Sequence, residues 1–223
     1  ISSTGNATDF GDITSGDIDQ RAGVSNETRG MFAGGLVAPG TPKSEIDYFT
    51  IAAPGNAIDF GDLSTDTTGS TGVNSPTRGV VFIGYDPSNP TNIIDYITIS
   101  TLGDGKDFGD STTGTRYAGS ACNSVRGLKA GGNGPALTDV IDYVTIATKG
   151  DATNFGDLIA VTGGMSQGAS SPTRGVFAGG YSPSLVDIIS YVNFETEGNA
   201  VDFGNILAAN QYLTGLSNGH GGL

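Results

Sequence analysis

The sequence of 223 residues has no tryptophan, one cysteine and one histidine. A single cysteine, Cys122, excludes an internal disulfide, and its place in a run of small residues predicts a buried filler rather than a nucleophile. A single histidine, His220, leaves no histidine-based metal cluster or paired-base site, and we expect it to be a small polar residue at one end of the fold rather than a functional one. No run approaches the ~20 apolar residues of a membrane span, and no charged-then-apolar secretion signal opens the chain.

Positive charge is also scarce, because 10 Lys and Arg face 23 Asp and Glu for a net charge of −13. Such a surface repels phosphate backbones, so we expect no nucleic-acid partner. It has no electrostatic attraction to anionic membranes either. The acidic excess is typical of a protein that stays soluble at high copy number or in salt.

Glycine, by contrast, is abundant at 37 residues, which is about twice the usual share of roughly 7%. Glycine supplies the positive φ that tight turns need, so the composition favours an all-β chain with many turns. Regularly placed Ile, Val, Phe and Tyr argue against disorder, because they give each part of the chain apolar surface to bury.

An Asp-Phe-Gly-Asp-like stretch behind a Gly-Asn-like turn occurs five times, at spacings of 50, 48, 47 and 48 residues. Its centres are Phe10, Phe60, Phe108, Phe155 and Phe203. A period this regular indicates a repeat architecture in which each unit must bury its faces against neighbours.

Each unit contains four short segments, which the second and third units illustrate. Segment one is an apolar strand ending in glycine (77–84), and segment two carries bulk on both faces (94–99). Segment three is the Phe-Gly stretch, joined to segment two by the Gly-Asn hairpin turn. Segment four is more polar (119–123) and is typical of an edge strand. Four antiparallel strands per repeat predict one propeller blade.

Counting the segments predicts a single domain, 1–223, folded as a five-bladed all-β propeller of four-stranded antiparallel blades. Ile1 is the last residue of a segment two, and residues 217–223 align with a segment one. We therefore expect the two termini to close the ring within one blade. Because the chain begins in mid-repeat, we also expect the edge beside Ile1 and His220 to be covered by an upstream part of the same polypeptide or by another subunit.

Three polar residues recur in the units. The arginines are Arg29, Arg78, Arg126 and Arg174, the aspartates are Asp47, Asp95 and Asp142, and the tyrosines are Tyr48, Tyr96, Tyr143 and Tyr191. A residue present in every blade solves a problem that every blade has, so we interpret these as structural, with a ligand role as the alternative. We expect the arginines to be largely buried, with Arg and Asp as a buried pair, and to bond to carboxylates or carbonyls of their own or a neighbouring blade. Truncating Arg78 to Ala should then cost about 3 kcal/mol or more.

Catalytic and metal sites find little support. Asp104, Asp107 and Asp110 invite a calcium interpretation, but they lack the alternate spacing and closing Glu of the best-known calcium loops. The glycine-rich stretches lack the Lys and the helix of phosphate-binding loops. Carboxylate pairs for glycoside cleavage stay open as an alternative. We predict no catalytic residues, no metal and no cofactor.

Loops after segment one vary most between units, and loops on a rigid scaffold are where binding residues concentrate. A lectin-like, glycan-binding function would use these loops. The candidate binding residues are Pro39, Lys43, Asp86, Asn89, Asn92, Ser182 and Ser184.

Two family resemblances are visible in the repeat. A double glycine followed by a tyrosine resembles kelch repeats, although the kelch tryptophan is absent. The second resemblance is more specific. Three sequence motifs are similar to a repeat family in virion proteins of marine and cyanobacterial phages: SPTRGVFAGG at 171–180, IDYVTIAT at 141–148 and GNATDFGD at 5–12. The third unit departs from it, with Asn123-Ser124-Val125-Arg126 in place of Ser-Pro-Thr-Arg.

The second resemblance implies a non-enzymatic structural protein or tail-appendage module, such as part of a tail fibre, located in the virion and contributing to host attachment. It implies other virion proteins as partners, with host surface glycans as a further candidate, and it supplies no catalytic residues. The glycan-binding module and the carbohydrate-active hydrolase are the alternatives.

Overall fold

A computed structural model describes residues 6–165 and 167–216. The described residues are all-β, with no helix, and therefore none long and apolar enough to cross a membrane. Four sheets, called blades 1 to 4 here, follow one another along the chain. Blade 1 contains β1 (Ile18–Asp19), β2 (Ala22–Ser25), β3 (Arg29–Val37), β4 (Thr41–Thr50) and β5 (Ile58–Thr67); blade 2 contains β6 (Thr71–Asn74), β7 (Arg78–Phe82), β8 (Ile93–Thr98) and β9 (Lys106–Asp110).

The later blades repeat this plan. Blade 3 contains β10 (Gly119–Cys122), β11 (Arg126–Ala130), β12 (Val140–Thr145) and β13 (Thr153–Asp157); blade 4 contains β14 (Ala169–Ser170), β15 (Arg174–Ala178), β18 (Ile188–Asn193) and β19 (Val201–Asn205), with the small hairpin β16 (Tyr181–Ser182) and β17 (Ser184–Leu185) between its second and third strands.

Every blade is antiparallel and orders its strands as segments four, one, two and three. In blade 1, the short strand β1 also pairs with the end of β3. The predicted four-stranded antiparallel blade is therefore confirmed for the described residues, and the arrangement is propeller-like. The predicted closure in a fifth blade depends on residues 1–5 and 217–223, including His220, which lie outside the described residues.

Segment four is an edge strand in pairing but not in exposure. All four residues of β6 and all four of β10 are buried, because β2, β6 and β10 pack side by side along the inner edges of their blades. Their polar groups bond to one another: the Thr71 hydroxyl donates to Ser120 Oγ at 2.7 Å, and Ser120 Oγ donates to the Gly72 carbonyl at 3.0 Å. The polar sequence of this segment thus reflects contacts between inner strands rather than solvent.

The apolar core lies between blades rather than within one. Three hydrophobic clusters join neighbouring blades: one lies between blades 1 and 2, one between blades 2 and 3, and one between blades 3 and 4. At the centre of each is the phenylalanine of segment three, with exposures of 4% for Phe60, 2% for Phe108 and 2% for Phe155. Cys122 is a buried member of the cluster between blades 2 and 3, and burial raises the pKa of its thiol.

The glycine after each phenylalanine permits close contact with the next blade. Gly109 has a φ of 146°, and a Cβ there would lie 2.5 Å from the Gly150 carbonyl. Gly150 N in turn donates to the Phe108 carbonyl at 2.9 Å, and Ala152 N donates to the Asp110 carbonyl at 2.8 Å.

The same backbone contacts link residues 10–12 to blade 1. Gly55 N donates to the Phe10 carbonyl at 2.7 Å and Ala57 N donates to the Asp12 carbonyl at 2.8 Å. The stretch around Phe10 thus lies against blade 1 as the outer strand of each blade lies against the blade that follows it.

Candidate functional site

The recurrent arginines stack on the recurrent tyrosines of their own blades. The guanidinium carbon lies 4.6–4.8 Å from the ring centre in the pairs Arg29–Tyr48, Arg78–Tyr96, Arg126–Tyr143 and Arg174–Tyr191. In the first three pairs, Nη1 also donates to a carbonyl of the next blade: Arg29 to Ile99, Arg78 to Ile146 and Arg126 to Phe194, at 2.6–2.9 Å.

The predicted buried Arg–Asp pair is therefore wrong for these residues. Arg29, Arg78 and Arg126 are half-buried, and Arg174 is exposed. Stacking on a ring keeps one face of the guanidinium near solvent, so a carboxylate partner is not needed. The expected bond to a carbonyl of a neighbouring blade is present for the first three arginines.

The recurrent aspartates Asp47, Asp95 and Asp142 are fully buried, and each accepts from the residue four positions after the phenylalanine of the preceding repeat. Thr14 Oγ1 donates to Asp47, Ser64 N donates to Asp95 at 2.8 Å, and Thr112 Oγ1 donates to Asp142 at 2.6 Å. In blade 4 the aspartate is replaced by Ser190, and the residue in the donor position is Ile159. The two positions thus change together.

Two of these aspartates form salt bridges with a basic side chain. Arg21 lies 2.6 Å from Asp47 and Lys129 lies 3.8 Å from Asp142. In blade 2 the position of Lys129 is occupied by Val81, and Asp95 Oδ1 has no hydrogen-bond partner among the described residues. Burial lowers the pKa of Lys129 to about 8, while Asp142 opposes this shift.

The candidate loop residues lie at one end of the blades but in separate units. Pro39 follows a cis peptide bond, Lys43 lies in β4, and Ser182 and Ser184 lie in the small hairpin of blade 4. Asp86 accepts from the backbone of Ser88 and Asn89, both at 2.8 Å, within its own loop. The Asn92 carbonyl accepts from Ser111. Apart from that local turn and the β16–β17 hairpin, in which Ser182 and Ser184 are cross-strand partners, no side-chain hydrogen bond among the described residues joins one of these candidates to another.

A cavity of about 550 Å³ lies between the inner strands of the blades. Its described lining comprises Asp19, Gln20, Arg21, Ala22, Gly23, Phe32, Gly69, Ser70, Thr71, Gly72, Tyr117, Ala118, Met165, Gln167, Tyr212 and Thr214. Because these residues come from successive blades and from the stretch after blade 4, we call it the axial cavity.

Five residues with left-handed backbones surround the axial cavity or lie next to it. They are Gln20, Gly69, Tyr117, Gly164 and Tyr212, with φ between 56° and 66°. Backbone hydrogen bonds connect these positions in order, at 2.7–3.2 Å. Gly69 N donates to the Gln20 carbonyl, Tyr117 N to the Gly69 carbonyl and Tyr212 N to the Gly164 carbonyl. Between Tyr117 and Gly164 the donor is the residue after Gly164, Met165 N, which donates to the Tyr117 carbonyl. Glycine takes this conformation freely, whereas a side chain costs about 1 kcal/mol.

The three side chains at these positions gather at the cavity. The Tyr117 hydroxyl donates to Gln20 Oε1 at 2.7 Å, and Thr68 Oγ1 donates to the same atom at 2.5 Å. The Tyr117 and Tyr212 rings lie edge to face, 5.6 Å apart. Burial raises the pKa of Tyr117. This arrangement presents two aromatic walls and several polar groups to a small ligand.

Asp19 is the one carboxylate among the described lining residues, whereas cleavage of a glycosidic bond normally uses two facing carboxylates. The described residues also contain no group of three or more His, Cys, Asp and Glu able to hold a metal ion. Asp104, considered above for calcium, accepts from Asp62 N at 3.2 Å and so connects two blades.

The axial cavity was not predicted from the sequence, although a signal for it was present. Positions 20, 69, 117, 164 and 212 recur with the repeat period, and glycine stands at two of them. A glutamine and two tyrosines at positions where glycine suffices were the visible departure from the repeat.

No protein-family model matches the chain, and neither does any curated protein. Among 225 matching chains of solved structures, the structure of YjhT is similar with a TM-score of 0.71 and 12% identity, covering 89% of this chain and 74% of that chain. At this identity the likeness shows the fold alone.

Proposed function

We propose that the chain is a five-bladed propeller, closed by its two ends in one blade, and that it is a non-enzymatic module of a phage virion that contributes to host attachment. The proposed scaffold role is supported by the contacts that the recurrent residues make between blades. The arginines, aspartates, phenylalanines and glycines of the repeat connect neighbouring blades, as expected of a rigid scaffold.

Both ends of the described chain support the fifth blade. Residues 10–12 lie against blade 1 as an outer strand would. After blade 4, Tyr212 N donates to Gly164 at 2.7 Å and Gly215 N donates to Gln167 at 2.7 Å, as an inner strand would. In a fifth blade between blades 4 and 1, residues 10–12 would form the outer strand and the stretch after blade 4 would form the inner strand.

Spin labels at Thr8→Cys and Leu216→Cys, in a Cys122→Ser background, test the closure. Both labelled positions are exposed. Within one four-stranded blade the labels would be about 15–20 Å apart, because strands are ~4.8 Å apart. An open stack of four sheets packed ~10 Å apart would place them about 40 Å from each other, and that distance would contradict the ring.

Two observations support a location in the virion. The repeat motifs that resemble the phage family occur along the whole chain, and the chain is strongly acidic. Antibodies against the 223-residue chain should label intact phage particles and slow their adsorption to host cells. Labelling confined to infected-cell lysate would contradict a virion location. Labelling without any effect on adsorption would support the structural role and contradict attachment.

A glycan-binding function is the second candidate, and the axial cavity favours it through its aromatic and amide side chains. Exchange of the loops that carry Asp86 and Ser184 separates a loop site from an axial one. Loss of glycan binding on loop exchange would place the site in the loops. Retention would favour the cavity.

A further inference from the structure

We propose that the axial cavity binds one neutral sugar ring, with Tyr117 and Tyr212 as its aromatic contacts and with Gln20 and Gln167 among its hydrogen-bonding groups. This inference rests on the attachment role proposed above, for which it names the class of ligand and the place where it binds.

The first argument for a ligand is the presence of side chains at left-handed positions. Glycine stands at Gly69 and Gly164, so the backbone geometry of these positions does not require a side chain. Tyr212 is 53% exposed, and therefore its burial does not explain why a strained tyrosine is present. Strained side chains that converge on a cavity indicate binding.

The charges of the cavity favour a neutral ligand. Arg21 is the one cation among the described lining residues, and its two terminal nitrogens already donate to Asp47 and to the carbonyls of Phe32 and Glu45 at 2.6–2.9 Å. Asp19 adds a negative charge at the wall. The buried Nε of Arg21 has no partner among the described residues, but the Arg21 charge is already paired with Asp47. Arg116 stacks on the Tyr117 ring at 5.1 Å and is not among the described lining residues. An anionic sugar or a phosphate would therefore meet the Asp19 carboxylate, while the one lining cation is paired with another carboxylate.

Hydrogen-bonding groups in the cavity match a polyhydroxylated ring. Gln20 Oε1 accepts from Tyr117 and Thr68, and its amide nitrogen donates to no described residue, so two donors remain. Gln167 and Thr214 also line the wall. Sugar hydroxyls both donate and accept, and therefore use amides, hydroxyls and a carboxylate together.

Shape distinguishes a sugar from a planar ligand. The two tyrosine rings are inclined at 75°, so they form two adjoining walls rather than the parallel faces between which a flat base stacks. A pyranose presents an apolar C–H face and a polar edge, which suits such a corner. The volume of about 550 Å³ lies within the usual range of small-molecule pockets.

The test titrates the whole chain with the methyl glycosides of D-glucose, D-galactose and D-mannose. Binding is followed by saturation-transfer NMR and by tyrosine fluorescence, which no tryptophan obscures. We expect at least one glycoside to bind with a Kd of about 1 mM. Tyr212→Ala should weaken that binding about tenfold or more.

Tyr181→Ala is the matched control, because Tyr181 is 43% exposed and does not line the axial cavity; it should leave the affinity unchanged. Tyr212→Gly separates binding from folding. Relief of the left-handed conformation offsets the lost contact with the Tyr117 ring, so the melting temperature should stay close to that of the parent protein while binding is lost.

Two results would overturn the proposal. One is the absence of binding by all three glycosides at about 50 mM, far above a millimolar Kd. The other is binding that survives Tyr212→Ala. Neither result changes the labelling of phage particles, so failure of the sugar site and failure of the virion role are distinguishable.

Discussion

The last strand of blade 4 carries the same Phe-Gly pair as those of blades 1 to 3, but its outer face has different surroundings. Phe203 stacks edge to face on Tyr191 at 5.9 Å, as Phe108 does on Tyr96 at 6.2 Å. Phe203 is nevertheless 58% exposed, against 2% for Phe108. The ring pair therefore forms within one blade, whereas the burial of the phenylalanine requires the next blade.

Blade 1 shows the complementary difference on its opposite face. Ile51 is 44% exposed, while its counterparts Ile99, Ile146 and Phe194 are fully buried. The open face of blade 1 and the open face of blade 4 are the two surfaces that a fifth blade would cover. Local stacking thus defines each blade, and contacts with neighbouring blades supply most of its hydrophobic stabilisation.

The largest expected effect separates two identical substitutions. Phe108→Ala removes a buried ring from the core between blades 2 and 3, and it should lower the free energy of unfolding by about 3–5 kcal/mol. Phe203→Ala removes a ring that is more than half exposed, and its cost should stay below about 1 kcal/mol. Urea denaturation measures both.

Equal losses for the two variants would show that Phe203 is buried in solution. That outcome would mean that other polypeptide covers blade 4 fully.

A second pair of substitutions, at two glycines, measures how much the close contact between blades contributes to stability. Gly109 and Gly204 both have positive φ, 146° and 137°, so alanine is strained at either position. A Cβ at Gly109 would also meet the Gly150 backbone at 2.5 Å, whereas nothing lies within 4 Å of a Cβ at Gly204. Gly109→Ala should therefore be less stable than Gly204→Ala by about 1–3 kcal/mol.

Thermal unfolding of the two variants gives this difference directly. Indistinguishable melting temperatures would mean that blades 2 and 3 separate enough to admit a methyl group at little cost.

The arginines provide a smaller contrast. Arg78 stacks on Tyr96 and donates to the Ile146 carbonyl at 2.9 Å. Arg174 stacks on Tyr191 in the same way but is exposed. Arg78→Ala should cost about 1–2 kcal/mol, from one charged hydrogen bond and one cation–π contact. Arg174→Ala should cost about half as much, and chemical denaturation at low and high salt compares them.

An equal cost for the two arginines would indicate that the bond between blades contributes nothing. A cost of about 3 kcal/mol for Arg78 would restore the buried pair that the sequence pattern predicts.

Repeat period and turn residues were enough to predict the blades, because each blade is specified locally. Gly-Asn-like turns, alternating bulk and glycine pairs recur along the chain, and the structure has the expected strands. Partners across blades could not be predicted in this way. The Asp142 carboxylate bonds to Thr112, 30 residues earlier, and only the three-dimensional stacking of blades makes the two residues neighbours.

The strand pattern alone does not reveal the axial cavity, for a related reason. Gln20 and Tyr117 are 97 residues apart and meet through one hydrogen bond. Their left-handed conformation is a property of the backbone that residue type does not reveal, since such positions usually hold glycine. Only alignment of the units on Gly69 and Gly164 would have shown that these positions are special.

A last contrast, visible only at alkaline pH, concerns Lys129, which distinguishes the junction of blades 2 and 3 from that of blades 1 and 2. Burial lowers its pKa from 10.5 to about 8 in the folded protein. Between these two values the unfolded chain holds a proton that the folded chain has released, so this residue makes stability rise with pH. Below about pH 8 both states are charged and the contribution is constant.

Lys129→Val gives blade 3 the residue that blade 2 has at Val81, and it should remove this rise. Titration of the tyrosines is common to both proteins, so the difference in unfolding free energy between parent and variant at about pH 7, 8.5 and 10 isolates the lysine. The parent should gain on the variant as pH increases through this window. A parent that instead loses stability relative to the variant would show that the Lys129–Asp142 ion pair, at 3.8 Å, outweighs the burial of the charge.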